Sequence, residues 1–184
     1  MALGATVYKA ELQISDMDRN YYHTHALTIA QHPSETNERM MIRVLAFALY
    51  ANERLSFGRG LSTQDEPDLW RKDLTGKIEL WIDVGQPDEQ RIRKACGRAD
   101  EVVVITYSGR NSATWWTKIA PGLARLRNLT LLNVDTTSSE ALAALASRTM
   151  QLQCLIQDGA IQFITGDRLV AIEIAAVEVG IGDA

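Results

Sequence analysis

The chain has 184 residues, of which 46% are hydrophobic and 23% are charged. This length is typical of one domain, and the composition excludes a disordered chain because it can bury enough apolar surface to offset the entropy of ordering the backbone. The net charge of -4 excludes a protein that coats nucleic acid by charge alone. The two cysteines, Cys96 and Cys154, lie in unlike segments and are expected to be reduced.

The distribution of charge and apolar residues limits where the chain can act. Apolar runs fall far short of the roughly 20 residues that a membrane-spanning helix needs, and residues 1–8 resemble no signal peptide. We therefore expect one domain over residues 1–184, in the cytoplasm and away from membranes. Residues 135–184 hold 2 basic and 7 acidic residues, so a polyanion is expected to avoid this part of the chain.

The N-terminal part is predicted to form a β-hairpin followed by a helix. Residues 6–14 and 21–30 are rich in β-branched and aromatic types and flank a turn at residues 16–19. Ser34 is a suitable N-cap for a helix over residues 35–51. Its apolar stripe is expected to consist of Met41, Leu45, Ala48 and Leu49. Residues 52–66 are predicted to be a loop.

A second hairpin is predicted over residues 68–74 and 77–84, joined at Thr75-Gly76. Apolar and other side chains alternate along its second strand, so one face is expected to be apolar and the other to carry two carboxylates. The apolar set is Ile78, Leu80, Ile82 and Val84, and the other set is Glu79, Trp81 and Asp83.

The remaining segments alternate between helical and strand patterns. Helices are predicted over residues 87–98, 113–120 and 137–148, and strands over residues 101–106 and 128–135. Residues 151–179 contain two turn signals, Asp158-Gly159 and Gly166-Asp167, which indicate an antiparallel meander. The sequence therefore predicts an α/β fold with a mixed sheet flanked by helices, an N-terminal β-hairpin and a C-terminal antiparallel meander.

Carboxylates from separate elements could gather in this fold. Asp68 and Glu79 lie on adjacent strands of the second hairpin, and Glu38 falls on the face of the first helix that packs into the protein. Mg²⁺ prefers oxygen ligands and usually takes one or two carboxylates together with water and phosphate oxygens. Asp83 shares its strand face with Glu79 and remains an alternative to it.

Short motifs around these acids resemble known patterns. Pro67-Asp68 followed by Glu79-Leu80-Trp81 resembles the PD-(D/E)xK nuclease superfamily. The segments HPSETNERM at 32–40, DEPDLW at 65–70 and LWIDVGQPDE at 80–89 resemble the YaeQ family, and the resemblance covers essentially the whole chain. It implies a compact variant of the PD-(D/E)xK fold in a bacterial protein whose family has no established biochemical activity.

The resemblance also implies roles for individual residues. It makes Glu38, Asp68 and Glu79 the ligands of a divalent metal, with Mg²⁺ as the expected ion. Asp83 competes with Glu79 because of its place on the same strand face, not because of the resemblance. The position of the superfamily lysine is Trp81, whose uncharged indole can neither orient an attacking water well nor balance phosphate charge. Three other side chains could contact a phosphate group in its place: Gln86, Arg93 and Lys94. On the predicted helix, Lys94 lies close to the outer face and Arg93 nearer the border of the buried stripe.

Two functions remain open from the sequence. The first, and the leading hypothesis, is a Mg²⁺-dependent phosphodiesterase acting on nucleic acid. The second is a catalytically inactive binding module, for nucleic acid or a protein partner, in which the acids pair with Arg39, Arg43 or Arg71. Trp115 and Trp116 could stack on bases or anchor a short helix, and the acidic C-terminal part could itself bind a protein partner.

Overall fold

Eleven strands and four helices make up the part of the chain that the computed structural model describes, residues 4–59, 61 and 63–179. The helices are α1 (Asn37–Leu49), α2 (Glu89–Arg98), α3 (Arg110–Leu123) and α4 (Thr136–Ala143). The strands are β1 (Thr6–Asp16), β2 (Tyr21–Gln31), β3 (Leu55–Phe57), β4 (Leu69–Lys72), β5 (Ile78–Val84), β6 (Ala99–Thr106), β7 (Leu129–Val134), β8 (Thr149–Gln157), β9 (Ala160–Thr165), β10 (Arg168–Ile172) and β11 (Ile174–Val177). No helix in these ranges combines the length and apolarity that a membrane span requires.

The strands form two mixed sheets. The first has the order β10-β9-β8-β1-β2, in which β1 and β8 are parallel and the other neighbours antiparallel. The second has the order β11-β7-β6-β5-β4-β3, with parallel strands β5, β6 and β7 at its centre. Both predicted hairpins and the α/β class are confirmed, whereas the single mixed sheet of the prediction is replaced by two.

The C-terminal meander is confirmed over β8, β9 and β10. Asp158 and Gly159 form its first turn with φ of 51° and 77°, the two positive values that a type I′ hairpin turn needs. β11 then leaves this sheet and pairs with β7 in the other one. The C-terminal segment therefore connects the outer strands of the two sheets, which the local pattern does not predict.

Helix α1 lies in the core that both sheets share. Its residues from Met40 to Ala48 are all buried, Arg43 included. The helix is therefore buried around its whole circumference, and the narrower predicted stripe is wrong. It begins two residues later than predicted because the Thr36 hydroxyl, rather than that of Ser34, accepts the Arg39 N–H.

Helices α2 and α3 cover the opposite face of the six-stranded sheet. Ile92 of α2 and Ile119 of α3 pack in a second apolar cluster with Trp81, Val102 and Val104 of the sheet. The alternate β6 residues Val103 and Ile105 belong to the first cluster. β6 is thus buried on both faces, which explains its continuous apolar sequence.

The first prediction concerns the buried ion pair between Arg43 and Glu35. Both side chains are 2% exposed, with Nη2 2.7 Å from Oε2. Replacing Arg43 with Ala is expected to lower the free energy of unfolding by about 3–5 kcal/mol, because it leaves a buried carboxylate short of a partner. The matched variant Arg71→Ala removes a partly exposed partner of Glu79 and should cost less than about 1 kcal/mol. Urea denaturation measures both, and equal losses would contradict this role of Arg43.

Candidate functional site

A polar cleft of about 660 Å³ opens at the carboxyl ends of β5 and β6. Gly85, with φ of 102°, turns the chain sharply away from β5 at this edge. Charged side chains from four elements or their flanks reach the cleft: Arg39, Asp68, Asp83 and Arg91. Uncharged polar side chains complete it, among them Gln86, Ser108 and Asn111. The carboxyl edge of parallel strands is where ligands commonly bind in α/β proteins.

Asp68 lies just before β4 and is 4% exposed. The Nη2 atom of Arg39 donates to its Oδ1 at 2.8 Å and to its Oδ2 at 2.9 Å. The backbone N–H of Val84 donates to Oδ2 at 2.7 Å. Burial raises the pKa of Asp68, Arg39 opposes that rise, and the nearby charge of Asp83 adds to it.

Asp83 lies near the end of β5 and is 3% exposed. Arg91 of α2 binds it in a bidentate manner, with Nε 2.8 Å from Oδ2 and Nη2 2.9 Å from Oδ1. The same guanidinium donates to the carbonyl oxygens of Gln64 at 2.6 Å and Glu66 at 2.9 Å. Arg91 therefore ties α2, the second sheet and the 63–66 segment together at one rim of the cleft.

Arg39 is also bound on its other side. Its Nη1 donates to Oε1 of Glu35 at 2.8 Å, and Glu35 in turn accepts from Arg43. Burial acts to lower the pKa of Arg39, but the charges and hydrogen bonds of Asp68 and Glu35 outweigh it and raise that pKa. The result is a continuous series of ion pairs, Arg43–Glu35–Arg39–Asp68, that reaches from the core to the cleft.

Glu79, a predicted metal ligand, lies away from the cleft. It is four residues before Asp83 on the same strand, a separation of about 13 Å. Arg54 and Arg71 contact its Oε2 at 2.9 and 3.0 Å. Hydrogen bonds from these two arginines lower the pKa of the Glu79 carboxyl.

Glu38, the predicted helix ligand, contacts α4. The Ser139 hydroxyl donates to its Oε1 at 2.6 Å, and Ser139 is completely buried. Of the four predicted acids, only Asp68 and Asp83 line the cleft together. The structure thus favours Asp83 over Glu79 as the partner of Asp68, which is the alternative that the sequence left open.

Of the three side chains predicted to contact phosphate in place of a lysine, one lines the cleft and two lie outside it. Gln86 lines the cleft, and its Nε2 is 3.5 Å from the Ser112 hydroxyl. Lys94 is exposed and pairs with Asp65 at 2.7 Å, and Arg93 pairs with Glu89 at 2.9 Å. Only Gln86 of the three is therefore close to Asp68 and Asp83.

Trp81, which the predicted resemblance places at the position of the superfamily lysine, is a buried core residue. It is 2% exposed, and the guanidinium carbons of Arg91 and Arg98 lie 5.8 and 5.2 Å from its ring centroid. Its Nε1–H has no hydrogen-bond partner within the described residues. The indole is thus an apolar group that supports α2 and its two arginines.

The arrangement of acids does not fit a Mg²⁺ site as it stands. Across the described ranges, no three His, Cys, Asp or Glu side chains lie close enough to share a metal ion. Both oxygens of Asp68 and of Asp83 accept hydrogen bonds from guanidinium groups. A metal ion bound to these carboxylates would lie beside the positive charges of Arg39 or Arg91, which oppose a second cation, and Mg²⁺ in the cleft stays a prediction.

Two contributors to the site were missed from the sequence. Arg91 precedes the buried Ile92, a position at the border of the α2 stripe from which a long side chain can reach the sheet. Glu35 was placed in the first turn of α1, but it precedes the helix and folds back onto Arg39 and Arg43. The proximity of several arginines to several acids was visible in the sequence, but their individual pairing was not.

The second prediction concerns the link between Arg91 and the 63–66 segment. Arg91→Ala removes the partner of buried Asp83 and two donors to this segment, so we expect a loss of about 2–3 kcal/mol in unfolding free energy and faster proteolysis between β3 and β4. Arg93→Ala, on the same helix, should cost less than about 1 kcal/mol and leave proteolysis unchanged. Limited proteolysis and denaturation test this, and equal cleavage of both variants would contradict the link.

Comparison with known proteins connects this geometry to a family. The chain shares 50% identity over 162 residues with the uncharacterized protein YaeQ of Salmonella typhi, covering 88% of this chain and 89% of the relative. The Escherichia coli K12 protein of the same description is 49% identical over the same shares.

Two crystal structures of YaeQ proteins are similar to this fold. The protein from Xanthomonas axonopodis pv. citri is 56% identical, with a TM-score of 0.89 over 94% of this chain and 97% of that one. The Pseudomonas syringae protein is 36% identical, with a TM-score of 0.90 over 96% of this chain and 98% of that one. The family model described as YaeQ protein matches residues 1–174, and the chain belongs to the YaeQ family.

Proposed function

We propose that this chain is a catalytically inactive binding module that recognises nucleic acid through the cleft, on a compact variant of the PD-(D/E)xK nuclease fold. The proposal is based on one observation, which is that each of the two cleft carboxylates forms an ion pair with an arginine. Asp68 accepts from Arg39 and Val84, and Asp83 accepts from Arg91, each on both of its oxygens. These carboxylates act as structural anchors for two arginines.

The chemistry of the remaining groups supports the same proposal. Hydrolysis of a phosphodiester needs a group that activates or orients water and a cation that balances the developing charge. Gln86 is an amide and cannot act as a titratable base at any ordinary pH. Trp81 at the lysine position is buried beneath α2 and carries no charge.

Recognition by the cleft would depend on shape and hydrogen bonding. Two carboxylates offset two guanidinium groups, so the lining has little net charge from these four side chains. The amides of Gln86 and Asn111 and the hydroxyl of Ser108 can donate and accept hydrogen bonds, as base edges and sugar hydroxyls require. Gln86 and Ser108 lie on the connections after β5 and β6, and Asn111 lies in the first turn of α3.

A Mg²⁺-dependent phosphodiesterase is the second candidate, and one observation favours it. Asp68 and Asp83 line the same cleft and their charges interact. Mg²⁺ is often held by only one or two carboxylates. This function would require a metal ion to bind the two carboxylates beside the charges of Arg39 and Arg91, or to displace these arginines.

The third prediction separates these candidates. The purified protein, with Mg²⁺ or Mn²⁺ and a panel of DNA and RNA substrates, should show no cleavage above that of Asp68→Ala, because its carboxylates are occupied by arginines. Isothermal titration calorimetry with Mg²⁺ alone should show no binding heat at millimolar concentrations.

Cleavage that disappears in Asp68→Ala and Asp83→Asn but persists in Glu79→Gln would establish the phosphodiesterase. Glu79→Gln is the matched control because this acid lies outside the cleft and pairs with different arginines. A folding check by circular dichroism is needed for Asp68→Ala, since its loss leaves Arg39 without one partner.

A further inference from the structure

The outer surface of α3 and the turn after it carries an unusual distribution of charge. Residues 102–134 contain no Asp or Glu, but they contain four basic residues, Arg110, Lys118, Arg125 and Arg127. All four are exposed. We call this set the α3 basic surface.

The contacts within α3 explain why these cations face solvent. Ser112, Ile119 and Leu123 are its buried residues and define the side that faces the sheet. Arg110 and Lys118 lie on the other side of the helix, about 12 Å apart along its axis. Arg125 follows two residues beyond the helix end at Leu123, so the cations are distributed along the length of α3.

The α3 basic surface differs from the arginines of the cleft and of α1 in lacking acidic partners. None of its four members forms an ion pair or a side-chain hydrogen bond to another described residue, whereas the arginines of the cleft and of α1 are paired with acids. A group of cations without acidic partners attracts polyanions. The α3 basic surface begins at the rim of the cleft, because Asn111 lines the cleft and adjoins Arg110.

The two tryptophans of α3 indicate which part of a nucleic acid the α3 basic surface could contact. Trp115 donates its Nε1–H to the Pro87 carbonyl at 3.0 Å, and both indoles pack against the second apolar cluster. They anchor the helix, which is one of the two roles that the sequence allowed. The α3 basic surface itself therefore offers charge without a stacking platform, which suits the phosphate backbone of a duplex better than unpaired bases.

We infer that the α3 basic surface binds the phosphate backbone of duplex nucleic acid, independently of sequence, and positions it across the adjoining cleft. The inference rests on the proposed function in taking nucleic acid as the ligand, and it adds where and how the backbone is held. The acidic residues within 135–179 lie in or beside elements other than α3. The chain therefore has a positively charged surface although its net charge is -4.

The fourth prediction uses fluorescence anisotropy with a labelled duplex of about 30 base pairs. Four phosphate contacts predict that the logarithm of the binding constant falls with the logarithm of the salt concentration with a slope of about -3.6. This slope corresponds to a loss of about 100-fold in affinity between about 50 and 200 mM salt. Lys118→Ala and Arg125→Ala should each reduce the slope by about 1. Because these side chains are exposed and unpaired, neither variant should change the melting temperature.

Lys9→Ala is the matched control, because Lys9 is an exposed, unpaired cation on β1 of the other sheet. An unchanged slope in Lys118→Ala and Arg125→Ala would overturn the inference. Absence of duplex binding would also overturn it. This holds equally if the protein instead binds vesicles containing about 30% phosphatidylserine, or polyglutamate, through the same four residues.

An uncharged cleft variant separates this inference from the proposed function. Asn111→Ala removes no charge, so it should weaken duplex binding about equally at all salt concentrations and leave the slope unchanged. If Asn111→Ala and Gln86→Ala have no effect while the α3 variants do, the surface is confirmed and recognition by the cleft is wrong. The reverse pattern would retain the cleft and reject the surface.

Discussion

The ion pairs Arg43–Glu35–Arg39–Asp68 are the interaction on which the rest of the structure depends. They connect the centre of α1 to the edge of the second sheet, and Arg43 also donates to the Ala30 carbonyl of β2 in the first sheet. Each buried charge has an opposite charge within 2.8 Å, which is what makes burial of so many ionised groups tolerable. The series fixes the orientation of α1 between the sheets and the position of Asp68 at the cleft.

This network also determines the chemistry of the cleft. A carboxylate that already accepts a bidentate guanidinium has its charge neutralised and its oxygens occupied, so it holds other side chains in place more readily than it holds a metal ion. Arg91 and Asp83 repeat the arrangement at the opposite rim and extend it to the backbone of the 63–66 segment. The result is a rigid, nearly neutral hollow whose remaining hydrogen-bonding groups are amides and hydroxyls. In the proposed mode of binding, long-range attraction therefore comes from the α3 basic surface and local recognition from the cleft.

Local sequence signals predicted most elements because each signal concerns residues that are neighbours in the chain. The strand pattern of β5, the turn at Asp158-Gly159 and the periodicity of α2 depend on backbone geometry within a few residues, and all three elements are confirmed. The alternation predicted along β5 is wrong at Ile78, which packs in the second apolar cluster while Leu80, Ile82 and Val84 pack in the first. Errors arose where packing overrides periodicity. The stripe of α1 was predicted too narrow because nothing local reveals that a helix lies between two sheets, and β11 crosses to the second sheet through a pairing with distant β7.

The candidate site likewise has features that the sequence predicts and features that only the tertiary structure decides. Composition and motif spacing by themselves determined that Asp68 and Asp83 lie on adjacent strands, because a hairpin closed by a short turn brings them to one edge. Which cation faces each acid was decided only by tertiary structure. Arg39 and Asp68 are 29 residues apart, and their contact depends on how α1 is seated on the sheet. Glu79 and Asp83 lie four residues apart on β5, yet one meets Arg54 and Arg71 while the other meets Arg91 of α2. A sequence specifies the residues that alternate along a strand, but the partner of a long charged side chain is set by the packing of whole elements.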